Sequence, residues 1–380
     1  MSGPLAGLRI LEMPAIGPAP MAAMILAGMG AEVLRIARPE PADLGSGQPP
    51  ERNLLNRGRP AVALDLKSAE GQALALRLAA QADALVEGFR PGVMERLGLG
   101  PAECHRVNPR LVYGRVTGWG QEGPLSRCAG HDLNYIALTG ALHAIGRRSG
   151  LPAPPLALLG DFAGGALHLV VGMLAALLER GVSGRGQVVD AAVADGTAAL
   201  MTMFHGLLAS GRHAEERGTN LLDSGAFFYD VYPCADGKLV AVAPIEERFF
   251  AEFLQRIGLP HDAFPRRLDP STWPAAREVL AAHLRTRSRD EWCALLEGSD
   301  ACFAPVLTME EAPHHPHAKA RGAYVEVGGV VQPAPAPRFS RAPSPTPAPP
   351  APDRGNPATL TRWGVEPEEI ERLAALGVVA

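Results

Sequence analysis

The sequence predicts an α/β protein with two parts: a large domain on a mostly parallel sheet and a smaller α+β domain. Three observations carry that expectation. Short apolar strands alternate with helix-like runs from Leu8 to Ala191, the rhythm of βαβ units. After Gly218 the rhythm changes, and Ala235-Asp236-Gly237 between two apolar runs signals a hairpin. A proline-rich stretch over 333–352 cannot build a core and leads to a short closing helix.

Each element has its own signal. Residues 8–13 form a largely apolar strand, 14–20 a turn, 21–29 a buried helix and 32–37 the next strand. Residues 61–66 are again strand-like. Ser68 then suits an N-cap, with Glu70 in the first turn of a helix running to about Ala82. Further strands are expected over 84–89 and 111–117, with a short helix starting at Pro91 between them. The Gly118-Trp119-Gly120 loop precedes helices over 131–142 and 162–179, a strand over 187–191 and a long helix over 192–210. Strands alternating with helices in this way imply a sheet covered on both faces. The smaller part holds strands over 226–233, 238–243 and 301–307, with helices over 246–257, 275–284 and 289–297, and the closing helix covers 366–376. The expected division is 1–217 with 325–380 as the large domain and 218–324 as the small one. The proline-rich stretch suits wrapping onto another domain or chain; its plain alternative is a disordered linker.

Composition narrows the function. The chain has 380 residues and a formal net charge of −4, which gives no general footprint for nucleic acid. No uninterrupted apolar run reaches the ~18–20 residues of a membrane span, because His168 and Gly172 interrupt the longest candidate. The first residues show no basic stretch leading into an apolar core and the last are not Ser-Lys-Leu, so neither a signal peptide nor a peroxisomal address is expected. Five widely spaced cysteines without a Cys-x-x-Cys pair give no disulfide framework or zinc site, and a reducing cytoplasm is the expected location. The first strand–turn–helix lacks Gly-x-Gly-x-x-Gly, which leaves a nicotinamide or flavin site with little support. Arg35, Arg38, Arg57, Arg59, Lys67, Arg90 and Arg96 are either solvated surface charges or, where they close strands, phosphate contacts.

Two segments hold the candidate chemistry. Gly130-His131-Asp132-Leu133-Asn134-Tyr135 and Leu158-Leu159-Gly160-Asp161-Phe162-Ala163-Gly164-Gly165 each set an ionisable side chain at the start of a helix-like run. Helix N-termini present unpaired N–H groups and partial positive charge, so they hold anions and favour a neutral imidazole. An imidazole and a carboxylate so placed suit a reaction that moves a proton on and off carbon. Each has a plain alternative: His131 as a solvated or structural histidine, and Asp161 as a helix cap. Glu246 either favours its helix start or hydrogen-bonds His131 and fixes its tautomer. His314-His315-Pro316-His317 reads as loop, since the proline breaks any helical ligand pairing.

These segments, with Ala31-Glu32-Val33-Leu34-Arg35-Ile36-Ala37-Arg38-Pro39, Asn108-Pro109-Arg110-Leu111-Val112-Tyr113, Ser183-Gly184-Arg185-Gly186-Gln187 and Pro305-Val306-Leu307, give the chain a resemblance over nearly its whole length. It resembles the family III coenzyme-A transferases (the CaiB/BaiF superfamily), and within them the α-methylacyl-CoA racemase branch. The resemblance implies a Rossmann-like large domain, an interlocked homodimer and epimerisation of 2-methylacyl-CoA thioesters by two bases. His131 and Asp161 are then the bases on opposite faces of the α-carbon, with Glu246 supplied by the partner chain. Arg38, Leu64, Asp65, Leu66, Lys67 and Arg90 are implied to meet coenzyme A, and Gly130, Asp132, Leu133, Asn134 and Tyr135 to line the thioester end. No cofactor beyond the coenzyme A of the substrate is implied. A coenzyme-A transferase, with Asp161 as nucleophile, is the rival within the family; a coenzyme-A-binding scaffold without turnover is the rival outside enzyme chemistry. Pro244 and Glu247 depart from the racemase pattern beside Glu246, and Met13-Pro14-Ala15-Ile16 lies near the implied acyl pocket.

Overall fold

The structure, a computed structural model, describes residues 2–40, 49–353 and 357–380. The chain divides into two compact units, one of Met1–Thr139, Leu156–Leu200 and Gly322–Ala380, the other of Gly140–Pro155 and Met201–Arg321. The expected boundary at 217/218 falls inside the second unit, where Arg217 donates to the carbonyls of His143, Arg147 and Gly150.

The first unit is built on six strands: β1 Arg9–Glu12, β2 Glu32–Ala37, β3 Ala61–Ala63, β4 Ala84–Glu87, β5 Val112–Thr117 and β6 Val188–Ala192. They run in the order β3-β2-β1-β4-β5-β6, every neighbour parallel. Successive residues point to opposite faces. Ile10, Val33, Val86 and Val112 enter one core with helices Pro18–Gly28 and His168–Ser183. Leu11, Leu34, Leu85 and Tyr113 enter the other, with helices Ala69–Gln81 and Pro367–Ala375. Strands β1 to β5 are buried on both faces and largely apolar, which is why these runs show little polar alternation. Strand order reverses between β1 and β4, so a crevice is expected beyond their C-terminal ends.

Two charged contacts shape those ends. Arg59 Nε reaches Glu12 at the end of β1 across 2.6 Å, with side chains 0% and 1% exposed. Glu87, ending β4, accepts from Arg115 at 2.7 Å and from the backbone N–H of Phe89 at 2.7 Å, steering the chain into Gly88-Phe89-Arg90.

Several elements depart from expectation, each for a local reason. Ser68 caps its helix as foreseen, accepting from Gly71 N–H at 3.0 Å. The helix expected over 131–142 stops at Ala137, and Gly140 at φ +80° separates it from Ala141–Ala144. The one expected over 192–210 divides into Val193–Leu200 and Thr202–Ala209. Helix Pro101–Val107 and the hairpin Tyr324–Val327/Val330–Pro333 carried no signal that was read. Pro316, expected to break structure, opens helix Pro316–Ala320, where its missing N–H costs nothing. The described residues contain no His/Cys/Asp/Glu group able to hold a metal.

The helix expected over 162–179 is longer. It starts as a π-helix at Leu158–Leu167 and continues as an α-helix to Ser183, 26 residues that are long and apolar enough to cross a bilayer by length and composition. Its inner side packs Leu169, Val170, Met173 and Ala176 into the sheet core, while Leu167, Val171, Leu178 and Val182 are exposed. Gly172 and His168 do not interrupt it: a Cβ on Gly172 would lie 2.6 Å from Val189 Cγ1, and His168 Nδ1 pairs with the Ala163 carbonyl at 2.9 Å.

The proline-rich stretch is pinned to the first unit. Arg57 donates to Gln332 Oε1 and the Pro333 carbonyl, Gly58 N–H to the Ala348 carbonyl, and Arg35 to Asp353 and the Ala351 carbonyl. The second unit is a three-stranded antiparallel sheet of Asp230–Pro233, Leu239–Val242 and Phe303–Val306, backed by helices Glu247–Ile257, Trp273–Leu284 and Arg289–Leu296. Its core is aromatic, with Phe227, Phe228, Phe250, Phe264 and Trp273 in mutual ring contact.

Candidate active site

The C-terminal ends of β1, β4 and β5 feed three loops: Met13 to Gly17, Gly88 to Arg90, and Gly118 onward to His131. A fourth segment, the π-helix, carries Asp161. Wide helical turns of this kind recur at functional sites because they re-aim a side chain at the cost of a regular ladder. Here Phe162 N–H reaches back five residues to the Ala157 carbonyl at 3.1 Å.

His131 is the N-cap of helix Asp132–Ala137, in extended backbone, with its side chain exposed. Its N–H donates to Asn134 Oδ1 at 3.0 Å and its carbonyl accepts from Asn134 N–H at 2.8 Å. Asn134 thus fixes the first turn. Asp132 Oδ1 accepts the backbone N–H of Asp161 at 2.6 Å, joining this turn to the π-helix. Asp161 is half-buried. Burial, and then the Asp132 carboxylate, push it up to about 6, while His131 pulls it back. At that value Asp161 can both lose and regain a proton near neutral pH. The turn that opens with His131 and the π-helix that holds Asp161 are thus tied together at Asp132.

Small residues let the segments around Asp161 approach closely. Gly17, at φ +67°, is where the chain turns from β1 into helix Pro18–Gly28, and a Cβ there would lie 2.9 Å from Asp161 Oδ2. Gly164 lies against Thr197 and Val193, so the π-helix and helix Val193–Leu200 touch backbone to backbone.

Tyr135 closes the other side. It donates to the Gly130 carbonyl, and its ring meets Trp119 edge-on with centroids 4.8 Å apart. Burial, followed by Asp161, raises its hydroxyl, and Arg90 opposes them. A Cβ on Gly118 would fall 2.0 Å from the Tyr135 ring, and one on Gly130 2.7 Å. Gly118→Ala is therefore expected to dislodge Tyr135 and cost ~1–3 kcal/mol through overpacking. A lowered urea midpoint and an altered near-ultraviolet circular dichroism spectrum would register it; an unchanged pair of readings would remove Tyr135 as the wedge.

The remaining sequence-predicted residues sort by burial. Arg38, Lys67 and Arg90 are exposed after β2, after β3 and after β4. Leu64 and Leu66 are buried, and Leu64 bridges Val379. Asp65 takes its backbone N–H to the Val378 carbonyl at 2.9 Å and its carboxylate to Lys67 N–H at 2.9 Å, so these three shape the turn that presents Lys67. Leu133 is exposed beside His131. Arg35, Arg57 and Arg59, alternatives for phosphate contact, are instead buried on Asp353, Gln332 and Glu12. Glu246 belongs to the second unit, as N-cap of helix Glu247–Ile257, exposed, with its carboxylate among the charges that raise Cys302. Gly17 and Trp119 were missed by the sequence reading. The indole Nε1 of Trp119 is buried without a hydrogen-bond partner among the described residues, at the Gly130 corner.

The profile of CoA-transferase family III matches residues 5–358. An alpha-methylacyl-CoA racemase of Mus musculus is 42% identical, covering 97% of this chain and 96% of its own. One of Homo sapiens is 41% identical, covering 90% and 87%. Among solved structures, a CAIB/BAIF family protein from Brucella suis superposes with a TM-score of 0.82 at 26% identity, over 96% of this chain and 100% of that one.

Proposed function

The chain belongs to CoA-transferase family III, and from that premise we propose that it is an acyl-CoA racemase inverting the α-carbon of 2-methylacyl-CoA thioesters. The observation that supports the reading is the hydrogen bond from Asp161 N–H to Asp132 Oδ1, which ties the turn opening with His131 to the π-helix that carries Asp161.

The chemistry follows from thioester acidity. One group removes the α-proton, the carbonyl becomes an enolate, and the other group returns a proton to the opposite face. For the opposite enantiomer the roles exchange. Asp161, raised to about 6, is suited to both roles. Charge on the enolate oxygen calls for donors already in place. The backbone N–H of Asp132, in the first turn after His131, is assigned to it. Each acid–base partner contributes about 10²–10⁴-fold. The reaction moves only protons, so the site needs nothing beyond the coenzyme A of its substrate.

Arg38, Lys67 and Arg90 are assigned to the phosphates of coenzyme A, since they remain exposed after strands whereas Arg35, Arg57 and Arg59 are committed elsewhere. Leu64 to Leu66 set the turn, and Gly130, Leu133 and Tyr135 the thioester wall. The protein is assigned to the cytoplasm and to a homodimer, with Glu246 orienting His131 from the second copy. The exposed Leu167, Val171, Leu178 and Val182 support such an association.

The test is to incubate the protein with single enantiomers of 2-methylacyl-CoA in deuterium oxide. Inversion with deuterium at the α-carbon is expected, without a hydroxylamine-trappable anhydride on Asp161. An anhydride, with no inversion, would replace the racemase by the transferase.

A further inference from the structure

One side chain at this site is left unused by a mechanism of two bases and a backbone donor: the carboxylate of Asp132. It spans 29 positions of sequence to accept the Asp161 N–H at 2.6 Å. It also follows His131 directly, so a single residue links the segment holding the imidazole to the turn holding the other base. The structure makes room for that link at Gly160, where a Cβ would lie 2.3 Å from Asp132 Oδ1 and 2.7 Å from Ile136 Cγ2. On its far side the Asp161 carboxylate overlies Gly17. Asp161 is thereby fixed by its backbone on one side and given space on the other.

We propose that Asp132 is a positioning residue that holds Asp161 in register with His131 and keeps a negative charge beside its carboxylate. The inference rests on the racemase reading and deepens it.

The surroundings support a role in charge as well as in placement. Asp132 raises Asp161, second only to burial, and His131 opposes it. Asp161 in turn raises the Tyr135 hydroxyl, against Arg90. Helix Pro18–Gly28, which meets Asp161 at Gly17, has no ionisable side chain. On helix Val193–Leu200 the residue packed on Gly164 is neutral Thr197, and Asp195 acts on Asp190. Asp132 is therefore the anion that lifts Asp161.

Two substitutions separate placement from charge. D132N keeps an acceptor for the Asp161 N–H and removes the charge; D132A removes both. The readout is kcat and KM for one enantiomer across pH, with coenzyme-A binding as the check on folding. In D132N the acid limb of kcat/KM is expected at lower pH than in the wild type, because Asp161 then ionises more readily. In D132A kcat is expected to fall about tenfold below that of D132N with KM little changed, the signature of a misplaced base. An acid limb that stays in place in D132N, or D132A as fast as D132N, overturns the inference while the wild type still inverts its substrate. A wild type that does not invert overturns the reading beneath it, and the role of Asp132 with it.

Discussion

Replacing His131 by alanine is expected to abolish inversion of 2-methylacyl-CoA, by about 10²–10⁴-fold, while coenzyme A still binds. The side chain is exposed at an N-cap, and its loss leaves the backbone exchange with Asn134 intact, so the first helical turn should persist. Exposed substitutions of this kind seldom move stability by more than ~0.5 kcal/mol. The effect should thus fall on chemistry and not on folding. The variant should also be asymmetric: Asp161 remains able to wash deuterium into the enantiomer for which it is the base, and the opposite enantiomer should exchange poorly. Chirality analysis and mass spectrometry of the recovered thioester report both. Undiminished inversion would remove the imidazole from the mechanism.

The second large effect concerns stability. Arg59→Met should cost ~3–5 kcal/mol, because it leaves the Glu12 carboxylate in the core without its partner. A lowered urea midpoint at an unchanged slope is the measurement. The double variant Glu12→Gln with Arg59→Met should recover much of the loss, since a neutral pair carries a smaller desolvation cost than a single buried charge. A single variant within 1 kcal/mol of wild type, roughly the scale of an exposed pair, would show that water reaches this carboxylate. Because Glu12 ends β1, one residue before the loop toward Gly17, part of the loss should also appear as weaker activity.

Much of this was legible in the residues, and what was not has a physical cause. Strands β1 to β5 of the large unit stood out because burial on both faces writes largely apolar runs. Ser68 announced its helix through capping, and it accepts from the N3 backbone as expected. The His131 and Asp161 segments were visible because small residues flank an ionisable one. Other features depend on partners far along the chain. Arg35, Arg57 and Arg59 look like Arg38 in sequence; only the tail residues Asp353 and Gln332, and Glu12 from β1, remove them from solvent. The π-helical turns around Asp161 leave no period distinct from an ordinary helix over so short a run. Gly17 and Gly118 matter through what lies opposite them, Asp161 and Tyr135, and one-dimensional pattern does not carry that. The split of 192–210 at Met201 is likewise invisible, since Val193–Leu200 and Thr202–Ala209 are equally apolar.

The rod that bears Asp161 rests on hydrogen atoms rather than methyl groups. An added Cβ on Gly196 would meet the Gly164 carbonyl oxygen at 1.9 Å, and one on Gly164 would meet Thr197 Oγ1 at 2.4 Å. Neither neighbour has anywhere to retreat, for both belong to helices. Evolution and the protein engineer face the same bargain: new substrates have to be won by rewriting the loops around the cleft, because the scaffold under the carboxylate accepts no extra carbon.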